Sequence, residues 1–562
     1  MCRAVDAMNS MGYGRNDRIA VALPNGPEMA SAFLSIASAF ACVPLNPRMT
    51  RPEFVQYLGD CGVKAIVLLP GEALPASEAA RSLDIPIIDL IPDSGSAGLF
   101  TLCGKAIPGA TESGFASEED IALVLHTSGT TSRPKLVPLT HRNICYSANK
   151  TMETLGLTQG DRCLNVMPLF YIHGLVGALL SSMAAGGSVV CTPGFISSEF
   201  MGWLDEFRPT WYTAVPAIHQ KVLDCALRSG NPPAGVLRLI RSAAAPLPGS
   251  VMSGLESAFR AIVLEGYGMT EAYQITSNPL PPGKRKPGSV GIPTGSDIAV
   301  IDADGNFLSN GVAGEILVSG PNVMKGYGND PRDNAETFMD GWFRTGDLGY
   351  MDNERYLFIT GRIKEMINRG GEKVSPYEVE EALLSHPAVL ESVVFPIADQ
   401  DMGEEVGAAV VLKEGVSATP GSIRSFAAER LSLFKIPSRI FIVNELPRTP
   451  TGKTRRMGMA ELLGLSGERN VHETPLKAAP MTPTEAEVAR IWSEVLHQGC
   501  VGVLDNFLEL GGDSLLATQV TSRISETFKV DIPITSVIIA ENLMALAADI
   551  ERRGLRPDSG GK

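Results

Sequence analysis

Runs of apolar residues alternate with amphipathic stretches through the first part of the chain. Short apolar runs at residues 19–23, 63–69 and 85–90 predict strands, and a helical pattern covers residues 28–41. A further buried strand is predicted at residues 121–125. Strands that alternate with helices are typical of parallel sheets covered by helices. The pattern therefore predicts that the chain begins with a large α/β domain.

The predicted elements become shorter after about residue 363. Residues 364–463 predict a small α+β subdomain, and residues 464–481 have the composition of a linker. Residues 482–485, Thr-Pro-Thr-Glu, form the capping-box pattern that begins a helix, and another helix is predicted from Ser514. The predicted order is a large α/β N-terminal domain with parallel sheets (1–363), the small α+β C-terminal subdomain (364–463), a linker (464–481), a small all-α bundle (482–553) and a tail (554–562).

The composition excludes several classes of protein. With 44% hydrophobic and 20% charged residues, the chain has the composition of a soluble globular protein. Its net charge of −14 argues against a nucleic-acid partner, because phosphates would be repelled. Nine cysteines without a C-x-x-C pair indicate a reduced, cytoplasmic protein with neither a disulfide framework nor a structural zinc site. Gly186-Gly187 interrupts the uncharged stretch 174–191, so we expect a buried helix, turn and strand there, and no membrane span.

A polar loop, residues 126–141, follows the strand predicted at residues 121–125. It contains several hydroxyl side chains, Gly129 and the two cations Arg133 and Lys135. Hydroxyls, exposed backbone N–H groups and cations bind phosphate, and a glycine lets the backbone approach the ligand closely. The loop is not the common nucleotide loop, because Pro134 stands where that loop has its second glycine. By itself, such a loop is equally compatible with a polar surface turn.

Further polar residues stand beside predicted strand ends. Residues 168–175 form an aromatic-rich turn that contains His173, although a single histidine is more often a core residue. Residues 264–272 join a predicted strand to a predicted helix and end in Thr270 and Glu271, which are suited to phosphate and Mg²⁺.

The last polar residues of this kind stand between residues 340 and 453. Asp347 and Arg362 are suited to hydrogen bonds with a ribose diol, and Lys453 stands at a loop tip that ends the small subdomain.

Together, these separated motifs resemble the adenylate-forming superfamily of acyl-CoA synthetases and nonribosomal peptide adenylation domains over about residues 18–460. The loop sequence Thr-Ser-Arg-Pro-Lys and the turn sequence Pro-Leu-Phe-x-x-His-Gly-Leu resemble those of the small-acid CoA ligases, the branch that contains the oxalate–CoA ligases. The resemblance implies an AMP-forming acid–thiol ligase that uses ATP and Mg²⁺. Two features depart from the family pattern: Ser132 and Leu136 stand where most members have glycine, and the usual opening segment ahead of the first strand is missing.

The resemblance also implies roles for the matching positions. Residues for the pyrophosphate end of ATP would be Thr127, Ser128, Gly129, Thr130, Thr131 and Lys135. Tyr267 and Gly268 would border the adenine, and Asp347 and Arg362 would bind the ribose. The residues that act at the reacting carboxylate and α-phosphate would be Lys453, Thr270, Glu271 and His173, with Glu271 as the Mg²⁺ ligand. Lys364 would be the hinge of the small subdomain, and Gly370 and Gly371 would line the path of the incoming thiol.

Residues 507–515, Phe-Leu-Glu-Leu-Gly-Gly-Asp-Ser-Leu, closely resemble the signature of a phosphopantetheine carrier domain. In that family the serine carries the arm, so Ser514 would be modified by a phosphopantetheinyl transferase. The alternative is a serine that only caps a helix. Acidic residues outnumber basic residues between 482 and 553, which suits docking on a basic surface of a downstream synthase.

Family members that activate amino acids carry an aspartate on the aromatic turn, where it holds the α-ammonium of the substrate. Residues 170–173, Phe-Tyr-Ile-His, offer no carboxylate. We therefore predict a substrate without an α-amine, such as a small aliphatic, hydroxy, dicarboxylic or aryl acid. The predicted pocket residues are Tyr171, His173, Ser242, Ala243, Ala244, Tyr273 and Gln274.

The leading hypothesis is an enzyme that adenylates an acid and loads it onto its own carrier arm. One alternative is an acid–CoA ligase that uses free CoA and has an accessory carrier domain. The other is a catalytically silent scaffold that presents the carrier to partner enzymes.

Overall fold

The structure is a computed structural model that describes residues 1–71, 74–108, 112–127, 135–230, 236–328, 331–399, 402–448, 454–465, 482–496, 498–507, 510, 512 and 514–554. The chain forms two compact units, and it passes from the first to the second between Ile359 and Thr360.

A seven-stranded sheet of order β5-β4-β3-β1-β2-β6-β7 lies at the start of the first unit. Its strands are β1 (Arg18–Val21), β2 (Ala41–Pro44), β3 (Ala65–Leu68), β4 (Ile87–Pro92), β5 (Phe100–Gly104), β6 (Ile121–Thr127) and β7 (Lys135–Thr140). The inner pairings are parallel, with Ile19 facing Cys42 and Ala65, whereas the edge strands β5 and β7 are antiparallel. The accompanying helices are α1 (Cys2–Ser10), α2 (Pro27–Ala37), α3 (Arg51–Cys61), α4 (Leu74–Ser82) and α5 (His141–Leu155). Strands β1 to β3 are buried, as expected for a sheet covered on both faces.

A second seven-stranded sheet has the order β14-β13-β12-β11-β10-β8-β9. Its strands are β8 (Arg162–Asn165), β9 (Ser188–Cys191), β10 (Trp211–Ala214), β11 (Leu239–Ala243), β12 (Ile262–Tyr267), β13 (Thr276–Ser277) and β14 (Ile292–Pro293). All pairings from β9 to β12 are parallel. The accompanying helices are a π-helix (His173–Leu180), α6 (Ser181–Ala184), α7 (Ser197–Phe207), α8 (Pro216–Ser229) and α9 (Gly249–Phe259).

A smaller antiparallel sheet follows in the chain. Its strands are β15 (Asp297–Ile301), β16 (Gly314–Ser319), β17 (Phe338–Met339), β18 (Trp342–Met351) and β19 (Leu357–Arg362), and the helix α10 (Pro331–Thr337) precedes β17. The boundary between the two units falls within β19.

The second unit begins with a five-stranded sheet. Its strands are β20 (Ile367–Arg369), β21 (Glu372–Val374), β22 (Val389–Asp399), β23 (Gly403–Leu412) and β24 (Arg439–Ile442). The helices are α11 (Pro376–Leu384), α12 (Pro420–Ala428) and α13 (Met459–Leu462), with 3₁₀ turns at Ile363–Glu365 and Leu433–Lys435. In the described part of this subdomain, α11 and α12 pack on the sheet in one apolar cluster, and Met459 of α13 packs on β22 in a second cluster.

A bundle of four helices completes the second unit. They are α14 (Pro483–Val495), α15 (Ser514–Phe528), α16 (Ile534–Ile539) and α17 (Leu543–Gly554). Trp492, Phe507 and Leu543 are fully buried in its core. The side chain of Thr482 accepts a hydrogen bond from the backbone N–H of Glu485, so the predicted capping box is confirmed.

The predicted fold class is confirmed: a large α/β part with parallel sheets, a smaller sheet domain and a C-terminal helical region. Two element predictions are wrong in detail. The helix predicted over residues 28–41 ends at Ala37, because residues 38–40 form a turn that leads into β2 at Ala41. The helix predicted directly after residue 271 is absent from residues 272–275, and β13 begins at Thr276. None of the helices within the described ranges is long and apolar enough to cross a membrane.

Candidate active site

The predicted phosphate loop joins two antiparallel strands. Strand β6 continues through Thr127, β7 begins at Lys135, and these two residues face each other across the ladder. The loop is therefore shorter than the predicted range 126–141, because Thr127 and Lys135 already belong to the β6–β7 ladder. The predicted phosphate ligands Ser128, Gly129, Thr130 and Thr131 lie outside the described residues.

His126 is fixed by packing just before this loop. Its ring centroid lies 4.0 Å from that of Tyr57, and its Nε2 atom lies 3.5 Å from Sγ of Cys61. Burial lowers the pKa of His126 to about 4, so the imidazole is neutral at pH 7. His126 thus anchors the start of the loop without adding charge.

Lys135 makes two contacts in the first unit. Its Nζ atom lies 2.7 Å from Oδ2 of Asp333 on α10, and 4.5 Å from the ring centroid of Tyr327. The two side chains of the ion pair are 21% and 31% exposed, so solvent reaches both. A lysine beside a phosphate loop is suited to hold the pyrophosphate end of ATP.

Glu271 is a nearly buried carboxylate, 7% exposed. The hydroxyl of Tyr327 donates a hydrogen bond of 2.8 Å to its Oε1 atom, and its backbone carbonyl accepts from the N–H of Met324. Within the described ranges Glu271 forms no ion pair. A buried carboxylate without a cationic side chain fits a Mg²⁺ ligand, since Mg²⁺ is commonly bound by one or two carboxylates together with substrate phosphates.

The predicted adenine and ribose residues meet at the end of β12. The hydroxyl of Tyr267 donates a hydrogen bond of 2.6 Å to Oδ2 of Asp347 on β18. Gly268 follows Tyr267 directly, and Thr270 is partly exposed two residues further on. The structure therefore brings Tyr267, Gly268 and Asp347 together at one strand end, with Thr270 close by in the chain.

The predicted acyl pocket begins at the aromatic turn. Tyr171 packs on Phe170 with ring centroids 4.8 Å apart, and burial raises the pKa of Tyr171 to about 12. His173 starts the π-helix, and its Nε2 atom lies 2.7 Å from Oγ1 of Thr213 on β10. Both side chains are largely shielded from solvent.

The other predicted pocket residues surround a buried arginine. Arg241 on β11 is 1% exposed, and its guanidinium donates to the hydroxyl of Tyr273 and to Oε1 of Gln274, each at 2.9 Å. Ser242 and Ala243 end β11, and Ala244 follows in the left-handed region at φ +78°. Among the described residues, no carboxylate pairs with Arg241, and its Nε atom, Nε2 of Gln274 and Oγ of Ser242 have no hydrogen-bond partner.

The predicted hinge and thiol-path residues belong to the start of the second unit. Arg362 ends β19, and Lys364 lies in the 3₁₀ turn that follows. Gly370 and Gly371 form the turn of the β20–β21 hairpin, with φ of +57° and +95°, which suits a tight two-residue turn.

Lys453 lies outside the described residues. Ser514 is the first residue of α15, as predicted.

Sequence reasoning missed Arg241, Tyr327, Asp333 and Thr213. A signal existed for Arg241, since it directly follows the apolar pair Leu239-Ile240, and a charged residue is unusual in a buried strand. No local signal marked Tyr327 or Asp333, whose partners lie in distant segments.

The chain was compared with known protein families. It matches the family described as AMP-binding enzyme over residues 1–328 and its C-terminal domain over residues 378–453. It also matches the phosphopantetheine attachment site over residues 486–550.

Curated relatives and solved structures agree with these matches. The chain is 42% identical to an oxalate–CoA ligase of Arabidopsis thaliana, over 81% of this chain and 90% of the relative. It is 36% identical to a sulfoacetate–CoA ligase of Cupriavidus necator, over 79% and 87%. The ATP-bound crystal structure of MatB from Rhodopseudomonas palustris aligns with a TM-score of 0.73 and 29% identity, over 82% of this chain and 91% of that chain.

Proposed function

The chain belongs to the AMP-binding enzyme family, and from this premise we propose that it activates a small carboxylic acid without an α-amine and transfers the acyl group to the phosphopantetheine thiol on its own Ser514. The family membership makes it an ATP-dependent, AMP-forming acid–thiol ligase. The observation that carries the proposal is the match to a phosphopantetheine attachment site directly after both matched parts of the ligase.

The first step joins the acid to the nucleotide. A carboxylate oxygen attacks the α-phosphate of ATP, the new P–O bond forms, and pyrophosphate leaves. Two anions must meet, so Lys135 and Lys453 would offset charge at the pyrophosphate and at the α-phosphate, respectively. Mg²⁺, when bound, would neutralise phosphate charge, and Glu271 is the residue that would hold it.

The second step exchanges AMP for a thiol. The thiol attacks the acyl carbonyl, a C–S bond forms, and the C–O bond to AMP breaks while the thiol proton is lost. AMP leaves as a stable anion. Gly370 and Gly371 have no side chains that would narrow a path for the incoming thiol.

Arg241 supports a substrate without an α-amine. Its buried guanidinium, unpaired with any carboxylate in the described part of the chain, disfavours a second cation nearby. It favours an acid that carries another anionic or hydrogen-bond-accepting group. The relatives named as oxalate–CoA and sulfoacetate–CoA ligases point to substrates of this kind.

A second candidate is an acid–CoA ligase with an accessory carrier domain. The names of the similar relatives favour it, because they are CoA ligases. The two candidates differ in the thiol that accepts the acyl group, and a single experiment separates them.

The experiment first attaches the arm with a phosphopantetheinyl transferase and CoA as its donor, removes the CoA, and then adds ATP, Mg²⁺ and a panel of acids before intact-protein mass analysis. A parallel reaction with free CoA measures the formation of acyl-CoA. We expect a pantetheine adduct that gains one acyl group, and both additions should disappear in Ser514→Ala. Ser522→Ala, on the exposed face of the same helix, should behave as wild type. An adduct that never gains an acyl group, together with rapid acyl-CoA formation, would establish the second candidate instead.

A further inference from the structure

The two ends of the predicted nucleotide site are joined by residues that carry no assigned role. Tyr327 donates a hydrogen bond to Oε1 of Glu271, and its ring lies beneath the ammonium of Lys135. The same ammonium pairs with Asp333 at 2.7 Å. Between them, Tyr327 and Asp333 thus contact both the predicted pyrophosphate lysine and the predicted Mg²⁺ ligand.

Local backbone and side-chain contacts fix the position of Tyr327. The side chain of Asn334 exchanges two hydrogen bonds with the backbone of Tyr327, at 2.7 and 3.0 Å. The N–H of Gly328 donates to the carbonyl of Leu136, beside Lys135 on β7. These bonds hold the ring of Tyr327 and the carboxylate of Asp333 against the nucleotide residues.

We propose that Asp333 is a competing anion at the nucleotide site: it pairs with Lys135 before ATP binds and gives up that lysine to the phosphates when ATP arrives. The proposal rests on the proposed function, in which Lys135 binds the pyrophosphate end of ATP. Both partners are partly exposed, so the ion pair is weak. A triphosphate carries several negative charges and replaces a single carboxylate as the partner of the ammonium.

Tyr327 has a different task in the same arrangement. Its hydroxyl occupies Oε1 of Glu271 and leaves the second carboxylate oxygen for the metal, so Tyr327 is a positioning residue for Glu271. Hydrogen bonds of this kind orient metal ligands, and their loss weakens metal binding by about 10–100-fold.

The test is the dissociation constant of ATP with Mg²⁺, measured by titration calorimetry on the full chain without acid substrate. Asp333→Asn should bind ATP about 2–5-fold more tightly, because the competing charge is removed. The matched control is Glu336→Gln, which removes the same charge from an exposed position on the same helix and should leave the constant unchanged. Equal tightening in both variants, or unchanged or weaker binding in Asp333→Asn, would overturn the proposal.

Tyr327→Phe keeps the ring beneath Lys135 and removes only the hydroxyl. We expect the Mg²⁺ concentration for half-maximal ATP binding to rise by about tenfold, while ATP binding at saturating Mg²⁺ stays close to wild type. An unchanged Mg²⁺ requirement contradicts the role of Tyr327. A wild-type chain that binds no ATP at all would contradict the proposed function, a result distinct from both outcomes.

Discussion

Arg241 places a positive charge in the interior of the first unit. Burying a guanidinium costs several kcal/mol unless its donors are satisfied and its charge is offset. Tyr273 and Gln274 satisfy two donors, but neither is an anion. From the remaining positive charge we expect the predicted acyl pocket to prefer acids that bring a second negative group.

Arg241→Met should change substrate preference more than it changes turnover. We expect the KM for a dicarboxylic acid to rise roughly 10–100-fold, because hydrogen bonds to charged groups are worth about 1.5–3 kcal/mol. The KM for a monocarboxylic acid of equal length should change much less. Pyrophosphate exchange measures both, with Arg238→Met as the control, since Arg238 pairs with Asp161 instead. A uniform rise for both acids would show that Arg241 has only a structural role.

Glu265 gives the first unit a dependence on pH. This carboxyl lies on β12, and burial raises its pKa to about 7, although the N–H of Leu247 donates to it at 3.0 Å. In the unfolded chain its pKa is about 4.3. The folded protein therefore retains a proton that the unfolded chain has lost, so the stabilisation is full below about pH 4.3 and is lost as the pH rises through 7.

Glu265→Gln should remove this dependence, because glutamine does not titrate. We expect the melting temperature of the variant, relative to wild type, to rise between pH 5 and pH 8. Glu206→Gln, an exposed glutamate on α7, should show a constant difference over the same range. A parallel shift in Glu265→Gln would mean that the carboxyl has its ordinary pKa.

The sequence predicted single residues best where they lie within short motifs. Tyr267 was assigned to the nucleotide by the family resemblance and Asp347 by its residue type. The structure places the two side chains in contact, and their roles stay predictions. Asp333 and Tyr327 could not be predicted, because their proposed roles depend on contacts with Lys135 and Glu271, which lie in distant parts of the chain. Residue type alone carries no such information.

The π-helix His173–Leu180 packs closely against Tyr273. Gly177 lies against the hydroxyl of Tyr273, and a Cβ atom at this position would lie 1.9 Å from that oxygen. The helix can therefore approach the Arg241–Tyr273 hydrogen bond only because residue 177 has no side chain. This close approach places His173 beside Thr213 on β10.

Gly177→Ala should destabilise the first unit, since overpacking a buried site costs about 1–3 kcal/mol. The KM for the acid should also rise, because Tyr273 must move. Gly202→Ala is the control: it lies within α7 with open space around it, and alanine there should stabilise the helix by about 0.5–1 kcal/mol. Thermal unfolding measures both variants. A melting temperature of Gly177→Ala equal to that of Gly202→Ala would show that the site at residue 177 has room for a side chain.

Elements with strong periodicity were predicted well, and their ends were not. The strands near residues 19, 65 and 87 and the start of α15 at Ser514 follow from apolar patterns and capping residues. Residues 135–140 were assigned to the loop, yet they form β7, which pairs with β6 and buries Leu136, Val137 and Leu139. Helix α16 was also missed, as its six residues are too few for a clear period.

At the scale of the whole molecule, the second unit combines the small subdomain and the carrier bundle. The hydroxyl of Ser425 on α12 donates to the carbonyl of Ile539 at the end of α16, at 3.1 Å. Gly421 on the same helix is buried against Glu541, and Leu433 packs on the bundle core. These contacts hold α12 and the carrier together within one compact unit.

Gly421→Val should separate the two parts, because its first added atom would lie 2.7 Å from Cγ and 3.1 Å from Cα of Glu541. We expect acyl loading of Ser514 to slow by about tenfold through a lower effective concentration of the arm, with pyrophosphate exchange unchanged. Gly499→Val, with open space around it, serves as the control. Unchanged loading in Gly421→Val would mean that the α12 contact does not serve delivery.

The contact between α12 and α16 also predicts that loading of the carrier is independent of the protein concentration. A carrier held by its own catalytic chain is served at a rate that does not depend on how many other copies are present. Diluting the protein a hundredfold should therefore leave the half-time of charging the same, and an excess of detached carrier should compete poorly for the activated acid. Under the proposed function, each polypeptide therefore charges its own arm with one acyl group.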